Sequence, residues 1–460
     1  MSFDYGEFSF ASKEEMLAKS REFWNPGKTD FWVEAGVPLV IDRREEYFIY
    51  DMSGKRLLDV HLNGGTYNLG HRNAEVVAAV TQAMARFDVG NHHFPSLART
   101  ALAEALVTSA PEGLTKVIYG SGGGEAIDIA LKTARHTTQK RKIVSIIKAY
   151  HGHTGLAVGT GDDRFSKLFL ADRPEEFPHV PFNDLDAMEQ ALRDRDVAAV
   201  IMETIPATYG FPLPEPGYLE GVKALCERYG SLYIADEVQT GLMRTGELWA
   251  ITKHGITPDI LVTGKGISGG MYPLSAVLVT EHAAGWLTED GFGHISTFGG
   301  AELGCIAALK ALEICTRPET RSMVHYISDL IGRGLREIQA DLPEAGLWGF
   351  VADITLADGT RTQTQFTIEV ALDPSAPSIG ETPPASQNRT LGDGMELAAL
   401  TSDPAPEADL YQLTVAEALT SGRPTVVTFA TPGFCESRLC APVVDSVKTV
   451  REAVGDQANF

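Results

Sequence analysis

Five stretches of the chain put reactive side chains beside flexible backbone. In Asp259-Ile-Leu-Val-Thr-Gly-Lys265-Gly-Ile-Ser-Gly-Gly270 a lysine follows an apolar run and has glycines on both sides. Desolvation lowers a lysine's pKa and frees its amine as a nucleophile. In Leu232-Tyr-Ile-Ala-Asp236 an apolar strand pattern ends in an acid, where α/β sheets gather their ligands. Tyr119-Gly-Ser-Gly-Gly-Gly-Glu-Ala126 sets Gly122, Gly123 and Gly124 between a strand pattern and a helix pattern. Backbone N–H groups there can approach a ligand closely, and the helix N-terminus adds its positive dipole end, so the pair makes an anion cradle. The motif is neither a Walker A loop, since no Lys-Ser/Thr follows, nor GxGxxG. Lys148-Ala-Tyr150-His-Gly-His153-Thr offers an aromatic ring and imidazoles just after a strand pattern, and His294-Ile-Ser-Thr297-Phe-Gly-Gly300 offers hydroxyls before a helix.

Each piece alone has an ordinary explanation: a strand–helix turn, an N-cap, a surface ion pair, a solvated loop lysine, a core tyrosine. One chemistry uses an anion cradle, a strand-end acid, a buried lysine and a stacking ring together. Pyridoxal phosphate needs a lysine to condense with its aldehyde and an acid to keep its pyridine nitrogen protonated. The cradle then holds the phosphate and the aromatic residue covers the ring.

The elements that must position these groups alternate along residues 1–345. Short apolar runs at Lys142–Ile147, Ala198–Met202, Leu232–Ala235 and Ile260–Thr263 read as buried strands. Amphipathic stretches at Glu75–Phe87, Glu125–Arg135, Leu219–Arg228 and Glu319–Ala340 read as helices. Buried strands alternating with helices predict an α/β fold around a mixed, mostly parallel sheet.

Composition limits the classes. The 460 residues are 44% hydrophobic and 22% charged, which is globular usage. A net charge of −22 argues against a nucleic-acid partner, because phosphate neutralisation needs a basic face. Five cysteines make no disulfide scaffold. The N-terminal MSFDYGEFSFASKEEM lacks the basic start and apolar core of a signal peptide, and no 18-residue apolar run predicts a membrane span. A cytoplasmic protein is the expectation.

Over roughly residues 30–340 the chain resembles the class III pyridoxal-phosphate aminotransferases of fold type I, the group that includes ornithine, acetylornithine and 4-aminobutyrate aminotransferases. The resemblance rests on Asp59-Val-His-Leu-Asn-Gly-Gly, Asn68-Leu-Gly-His71, SGGGEAIDIALKTAR (121–135), AYHGHT (149–154), Glu203-Thr-Ile-Pro, Pro216-Gly-Tyr218-Leu, ADEVQTGLMRTG (235–246), PDILVTGKGISGG (258–270) and STFGG (296–300). It implies the fold type I large domain, pyridoxal 5′-phosphate as cofactor, and transamination between an amino acid or ω-amino compound and a 2-oxo acid. By the same resemblance Lys265 is the lysine that bonds the cofactor and shuttles the proton, and Asp236 is the acid on the pyridine nitrogen. Val238 lies under the ring, Gln239 near the phenolic oxygen, and Tyr150 stacks. Gly123 and Gly124 cradle the phosphate, although Ser or Thr usually stands at 124. Thr297 reaches the phosphate of the partner subunit, which implies a homodimer. Glu203 lines the substrate pocket. His153 stands where 4-aminobutyrate and ornithine enzymes carry an arginine that holds a substrate carboxylate in some members. Thr208 stands where relatives often carry a second glutamate. Decarboxylation and racemisation share the scaffold.

The expected organisation is an N-terminal segment (1–60), a cofactor-binding large domain (61–345), a β-hairpin segment (346–372, alternating over 351–372 around Asp358-Gly359), a Pro-rich linker (373–409) and a partial thioredoxin-like unit (410–460). Residues 346–460 carry 15 acidic and 6 basic residues, and Pro374, Pro377, Pro383, Pro384, Pro404 and Pro406 punctuate the linker. Family members continue instead into a small domain that supplies an arginine for the α-carboxylate; none of Arg361, Arg389, Arg423, Arg438 or Arg451 is assigned that role. Thr425–Ala430 followed by Cys435 and Cys440 looks like a thioredoxin-like strand and cysteine turn, but Cys-x4-Cys departs from the redox Cys-x-x-Cys. No metal site is expected. Two other readings are a cofactor-binding protein impaired by loss of the small domain, and a thiol or redox protein acting through those cysteines.

Overall fold

The computed structural model describes residues 10–90, 93–337, 346–355, 361–370, 385–401, 406–427, 447–451 and 454–459. The chain divides into two compact units, Met1–Leu335 and Arg336–Phe460.

The first unit opens with a three-stranded antiparallel sheet, β1 (Ile41–Glu45), β2 (Phe48–Asp51) and β3 (Arg56–Leu58). Its central sheet has seven strands: β4 (Leu114–Gly120), β5 (Lys142–Ile146), β6 (His179–Val180), β7 (Val197–Glu203), β8 (Leu232–Asp236), β9 (Ile260–Thr263) and β10 (Ser275–Thr280). Their order is β4-β10-β9-β8-β7-β5-β6. Strands β5 to β9 pair in parallel, whereas β10 runs antiparallel to both β4 and β9. The sheet is therefore mixed and mostly parallel, as the alternation of patterns predicts.

The middle strands are apolar because both faces are covered. All seven residues of β7 are buried. Alternate side chains enter two different cores. Val200, Met202, Tyr233 and Ala235 join Leu102, Leu106, Leu219 and Val222 on one face. Ile201, Ile234, Val262 and Val277 join Ile127, Ile129 and Leu131 on the other. Each fully buried Ile or Leu contributes about 1.5–3 kcal/mol relative to exposure. The second core is closed by the helix Gly123–Thr138, which buries seven residues and stops at Gln139 in the left-handed region, φ 57°. The helix Tyr218–Tyr229 ends at Gly230, φ 70°, whose N–H bonds the carbonyls of Cys226 and Glu227.

The amphipathic stretch beginning at Glu75 is helical over Ala74–Ala83 and shorter than its pattern. Ala85 and Arg86 donate to the carbonyls three residues back, so the segment closes as a tightened turn before Phe87. The helix Pro318–Glu337 covers most of the expected 319–340, and residues 338–340 lie outside the described residues. Among the described residues no helix is long and apolar enough to cross a membrane.

In the second unit β11 (Gly346–Thr355) and β12 (Arg361–Val370) pair antiparallel from Gly346↔Val370 to Thr355↔Arg361. The pairing starts five residues before the alternating pattern, and Asp358-Gly359 lies outside the described residues. Short turns stand within the Pro-rich stretch, at Leu391–Asp393 and Leu397–Leu400. The helix Val415–Thr420 begins with a Thr414–Glu417 capping box. Thr425 makes an isolated bridge with Asn459. Residues 428–446, with Cys435 and Cys440, lie outside the described residues.

Candidate active site

The C-terminal ends of β7, β8 and β9 and the loops after β4 and β5 converge on one cleft. Gly123, Gly124, Ile127, Tyr150, His151, Gly152, Glu203, Asp236, Val238, Gln239 and Lys265 line it. Parallel pairing explains the meeting. Glu203 is registered against Asp236, and Asp236 against Val262 near the end of β9. Lys265 begins the turn that follows β9. Three strand ends thus deliver two acids and a lysine side by side, at the edge where open α/β sheets bind ligands.

Lys265 has φ 43°, a conformation that costs a non-glycine residue about 1–3 kcal/mol and clusters at functional sites. Its neighbour must be glycine: a Cβ on Gly266 would stand 2.8 Å from Cγ of Asn68. The Lys265 ammonium donates to Oε1 of Gln239 at 2.9 Å. Burial and the positive charge of Arg244 lower its pKa, against the opposing pull of Asp236 and Glu203.

Asp236 is buried and held at both oxygens. Oδ2 is hydrogen-bonded to Nδ1 of buried His151 at 2.7 Å, and Oδ1 accepts from the N–H of Val238 at 3.0 Å. The Nε2 of His151 lies 3.3 Å from the hydroxyl of Ser145. Glu203 accepts from the N–H of Tyr150 at 3.0 Å and that of Ala207 at 3.2 Å. Burial raises its pKa, and the nearby Asp236 charge adds to the shift. Glu237 points the other way. It is fully buried and accepts from Thr204, Thr240, and the N–H groups of Ala250 and Ile251, so it knits the loops after β7 and β8; burial raises its pKa as well.

The glycine cradle opens the helix Gly123–Thr138. Its N-cap, Gly122, is extended and gives no side-chain cap, so the first N–H groups are left for a ligand. Space is tight around it. A Cβ on Gly123 would meet Val238 Cγ1 at 3.3 Å, and one on Gly124 would meet Thr154 Oγ1 at 2.7 Å. Thr154 is itself bonded to Asp128 at 2.8 Å, and Asp128 also accepts from the N–H groups of Leu156 and Ala157. That clasp ties the loop carrying Tyr150 to the helix Gly123–Thr138.

Eight of the residues singled out from the sequence therefore meet in the cleft. Thr297 does not line it; it is exposed in the loop before the helix Glu302–Thr316. His153 is also exposed, packed on Phe165 at 4.2 Å and on Tyr150 at 5.1 Å between ring centres. Partial burial lowers its pKa. His151, Gly152, Asp128, Glu237 and Arg244 stand inside the quoted motifs, but sequence reasoning gave them no role. Their partners are distant in the chain, and only the type of His151, an imidazole beside Tyr150, hinted at one.

The donor set fits pyridoxal phosphate. An uncapped helix N-terminus with no room for side chains suits a phosphate, a doubly held carboxylate suits a protonated pyridine nitrogen, and a lysine with a depressed pKa suits an aldehyde.

Comparison with known proteins agrees. The family described as Aminotransferase class-III matches residues 32–346. An uncharacterised aminotransferase of Archaeoglobus fulgidus is 43% identical over 325 residues, covering 70% of this chain and 76% of the relative. The ornithine aminotransferase structure of Toxoplasma gondii superposes with a TM-score of 0.66 at 27% identity, over 75% of this chain and 80% of that one. The taurine:2-oxoglutarate aminotransferase of Bifidobacterium kashiwanohense, solved with pyridoxal phosphate and glutamate, gives 0.64 at 26% identity, over 72% and 79%. The match to the family ends where β11 begins. The chain belongs to the class III aminotransferases, enzymes that transfer an amino group by means of pyridoxal 5′-phosphate.

Proposed function

We propose that the cleft at Lys265 is the transamination site and that its residues act as follows. Lys265 binds the cofactor and moves the proton between the substrate carbon and the cofactor carbon. Asp236, held by His151, keeps the pyridine nitrogen protonated. When bound, the cofactor supplies an electron sink for the pair left on the substrate carbon. Gly123 and Gly124 receive the phosphate, Val238 and Tyr150 flank the ring, and Gln239 serves the phenolic oxygen while orienting the lysine. Glu203 holds the Tyr150 loop through its backbone bond and presents its carboxyl to the substrate side. His153 stands at the rim. The observation that carries the reading is the meeting of Lys265 and Asp236, from neighbouring strand ends, in a cleft capped by an uncapped helix N-terminus. Titration with pyridoxal phosphate tests it: the intact chain gains the absorbance band of the lysine-bound cofactor, and Lys265→Ala does not. Full turnover by that variant overturns the assignment.

The amino donor is an amino acid or ω-amino compound and the acceptor a 2-oxo acid, with 2-oxoglutarate first in the panel because the taurine enzyme's description names it. Working as a homodimer, each subunit would offer Thr297 to the partner's phosphate. Thr297 is exposed away from its own cleft, and the large apolar neighbours Phe292, Ile295 and Phe298 are exposed beside it. Neither Lys265→Ala nor Thr297→Ala chains should work well alone; mixing them should recover activity, since a hybrid has one complete site. No recovery from a confirmed hybrid dimer would refute the sharing. The proposed location is the cytoplasm, which cell fractionation checks.

A further inference from the structure

The loop at residues 61–66 comes down over Lys265. Leu62, Asn63, Gly64 and Gly65 all have positive φ, from 51° to 97°. Asp59 holds the loop entry by accepting from the N–H groups of His61 and Leu62, and pairs with His71 at its far end. A Cβ built on Gly64 would lie 3.8 Å from Cε of Lys265. The next residue, Gly65, has a guanidinium lying against it. A Cβ there would stand 3.0 Å from Nη2, 3.4 Å from Cζ and 3.5 Å from Nε of Arg244, and Nη2 donates to the Gly65 carbonyl at 2.9 Å.

Arg244 is thus fixed against Gly65, the neighbour of the residue that meets Lys265, yet it is solvent-accessible. Among the described residues it makes that one hydrogen bond and no ion pair. Its other N–H donors face no protein acceptor there. Other arginines of the first unit are paired with carboxylates: Arg99 with Glu302, Arg135 with Glu176 and Arg317 with Glu75. The charges acting on Lys265 are the anions Asp236 and Glu203 and the cation Arg244. A substrate carboxylate entering beside two buried acids meets repulsion unless a fixed cation receives it, and a guanidinium fork is the side chain best suited to a carboxylate.

We infer that Arg244, seated against Gly65 next to the residue that meets Lys265, is a specificity residue that binds a carboxylate of the amino-acid or 2-oxo-acid substrate. The assignment rests on the transamination reading above. It makes the preferred substrates carboxylates and disfavours simple amines. It also gives Gly65 a purpose: any side chain there would push the guanidinium off its seat.

Calorimetric titration of the full chain without cofactor uses glutarate, an unreactive dicarboxylate, against 1,5-pentanediol, its uncharged analogue. The chain binds glutarate and not the diol. Arg244→Met weakens glutarate by about ten-fold or more, and Arg244→Lys retains part of the affinity because it keeps the charge without the fork. Gly65→Ala displaces the guanidinium from the other side and weakens glutarate as well. With the cofactor loaded, Arg244→Met raises KM for the 2-oxo acid by about ten-fold or more while kcat changes less than about three-fold, the split expected of a binding contact and not of a folding defect. Equal glutarate affinity in the parent chain and Arg244→Met, or no glutarate binding by the parent chain, overturns the inference. A parent chain that binds glutarate through Arg244 but converts no amine with its cofactor band present overturns the transamination reading instead.

Discussion

His151 Nδ1 and Asp236 Oδ2 are 2.7 Å apart, with both side chains buried. The imidazole occupies the oxygen that Val238 leaves, so Asp236 has one orientation within the cleft. A hydrogen bond to a charged group is worth about 1.5–3 kcal/mol, which corresponds to roughly 10- to 150-fold in rate if the bond matters most in the transition state. His151→Phe should slow the single-turnover half-reaction by about that factor. His151→Asn, which can still donate, should recover part of it. Stopped-flow absorbance reads both, and an unchanged rate in the phenylalanine variant would remove His151 from the mechanism.

Lys265 should react at a lower pH than other lysines. Its pKa is lowered from the usual 10.5, chiefly by burial, so the free amine accumulates before that of an exposed lysine. The rate of condensation with pyridoxal phosphate, followed by absorbance against pH, should rise with a midpoint below 10.5. Arg244→Met removes one of the causes and should move the midpoint upward.

The loop carrying Tyr150 leaves no room at Gly152. Its φ is +100°, and an added Cβ would sit 2.7 Å from Cα of Gly124. Gly152→Ala must therefore push the loop off the cradle, at a cost of about 1–3 kcal/mol from the backbone conformation alone. Weaker cofactor binding by about ten-fold and a lower Tm are expected; normal affinity would mean that the loop tolerates the shift.

Glu203 gives a stability effect with a definite sign. Burial raises its pKa above 4.5, so between 4.5 and the raised value the folded chain holds a proton that the unfolded chain has released. Stability from this group is therefore lost as pH rises through that window. Glu203→Gln cannot ionise, so the Tm of the variant minus that of the parent should increase with pH from 4.5 upward. A flat difference would show that the folded chain keeps the group at its ordinary pKa.

Much of this arrangement was legible in the residues. The strand patterns at 142–147, 198–202, 232–235 and 260–263 match β5, β7, β8 and β9 within a residue or two, because strands buried on both faces are continuous apolar runs. Lys265 and Asp236 meet because each follows such a run and parallel neighbours end on the same side. What could not be read were contacts between loops. His151 and Asp236 are 85 residues apart, and Gly65 and Arg244 are 179 apart. Residue type and local period carry no record of such partners. Asp128 was hidden differently: within the pattern of the helix Gly123–Thr138 it passes for an ordinary surface acid, although it ties down the Tyr150 loop.

The antiparallel strand β10 lies between β4 and β9, and among the described residues β4 pairs with no strand but β10. The strand that leads into the Gly122–Gly124 turn therefore cannot dock until residues 275–280 have left the ribosome. Synthesis at about 5–20 residues per second leaves the Gly122–Gly124 turn waiting for many seconds while β5 to β9 accumulate. Long-range pairing of this kind slows folding. A nascent chain stalled before residue 275 should thus be sensitive to protease at 114–138 and unable to retain the cofactor, while release of a few dozen more residues locks both at once.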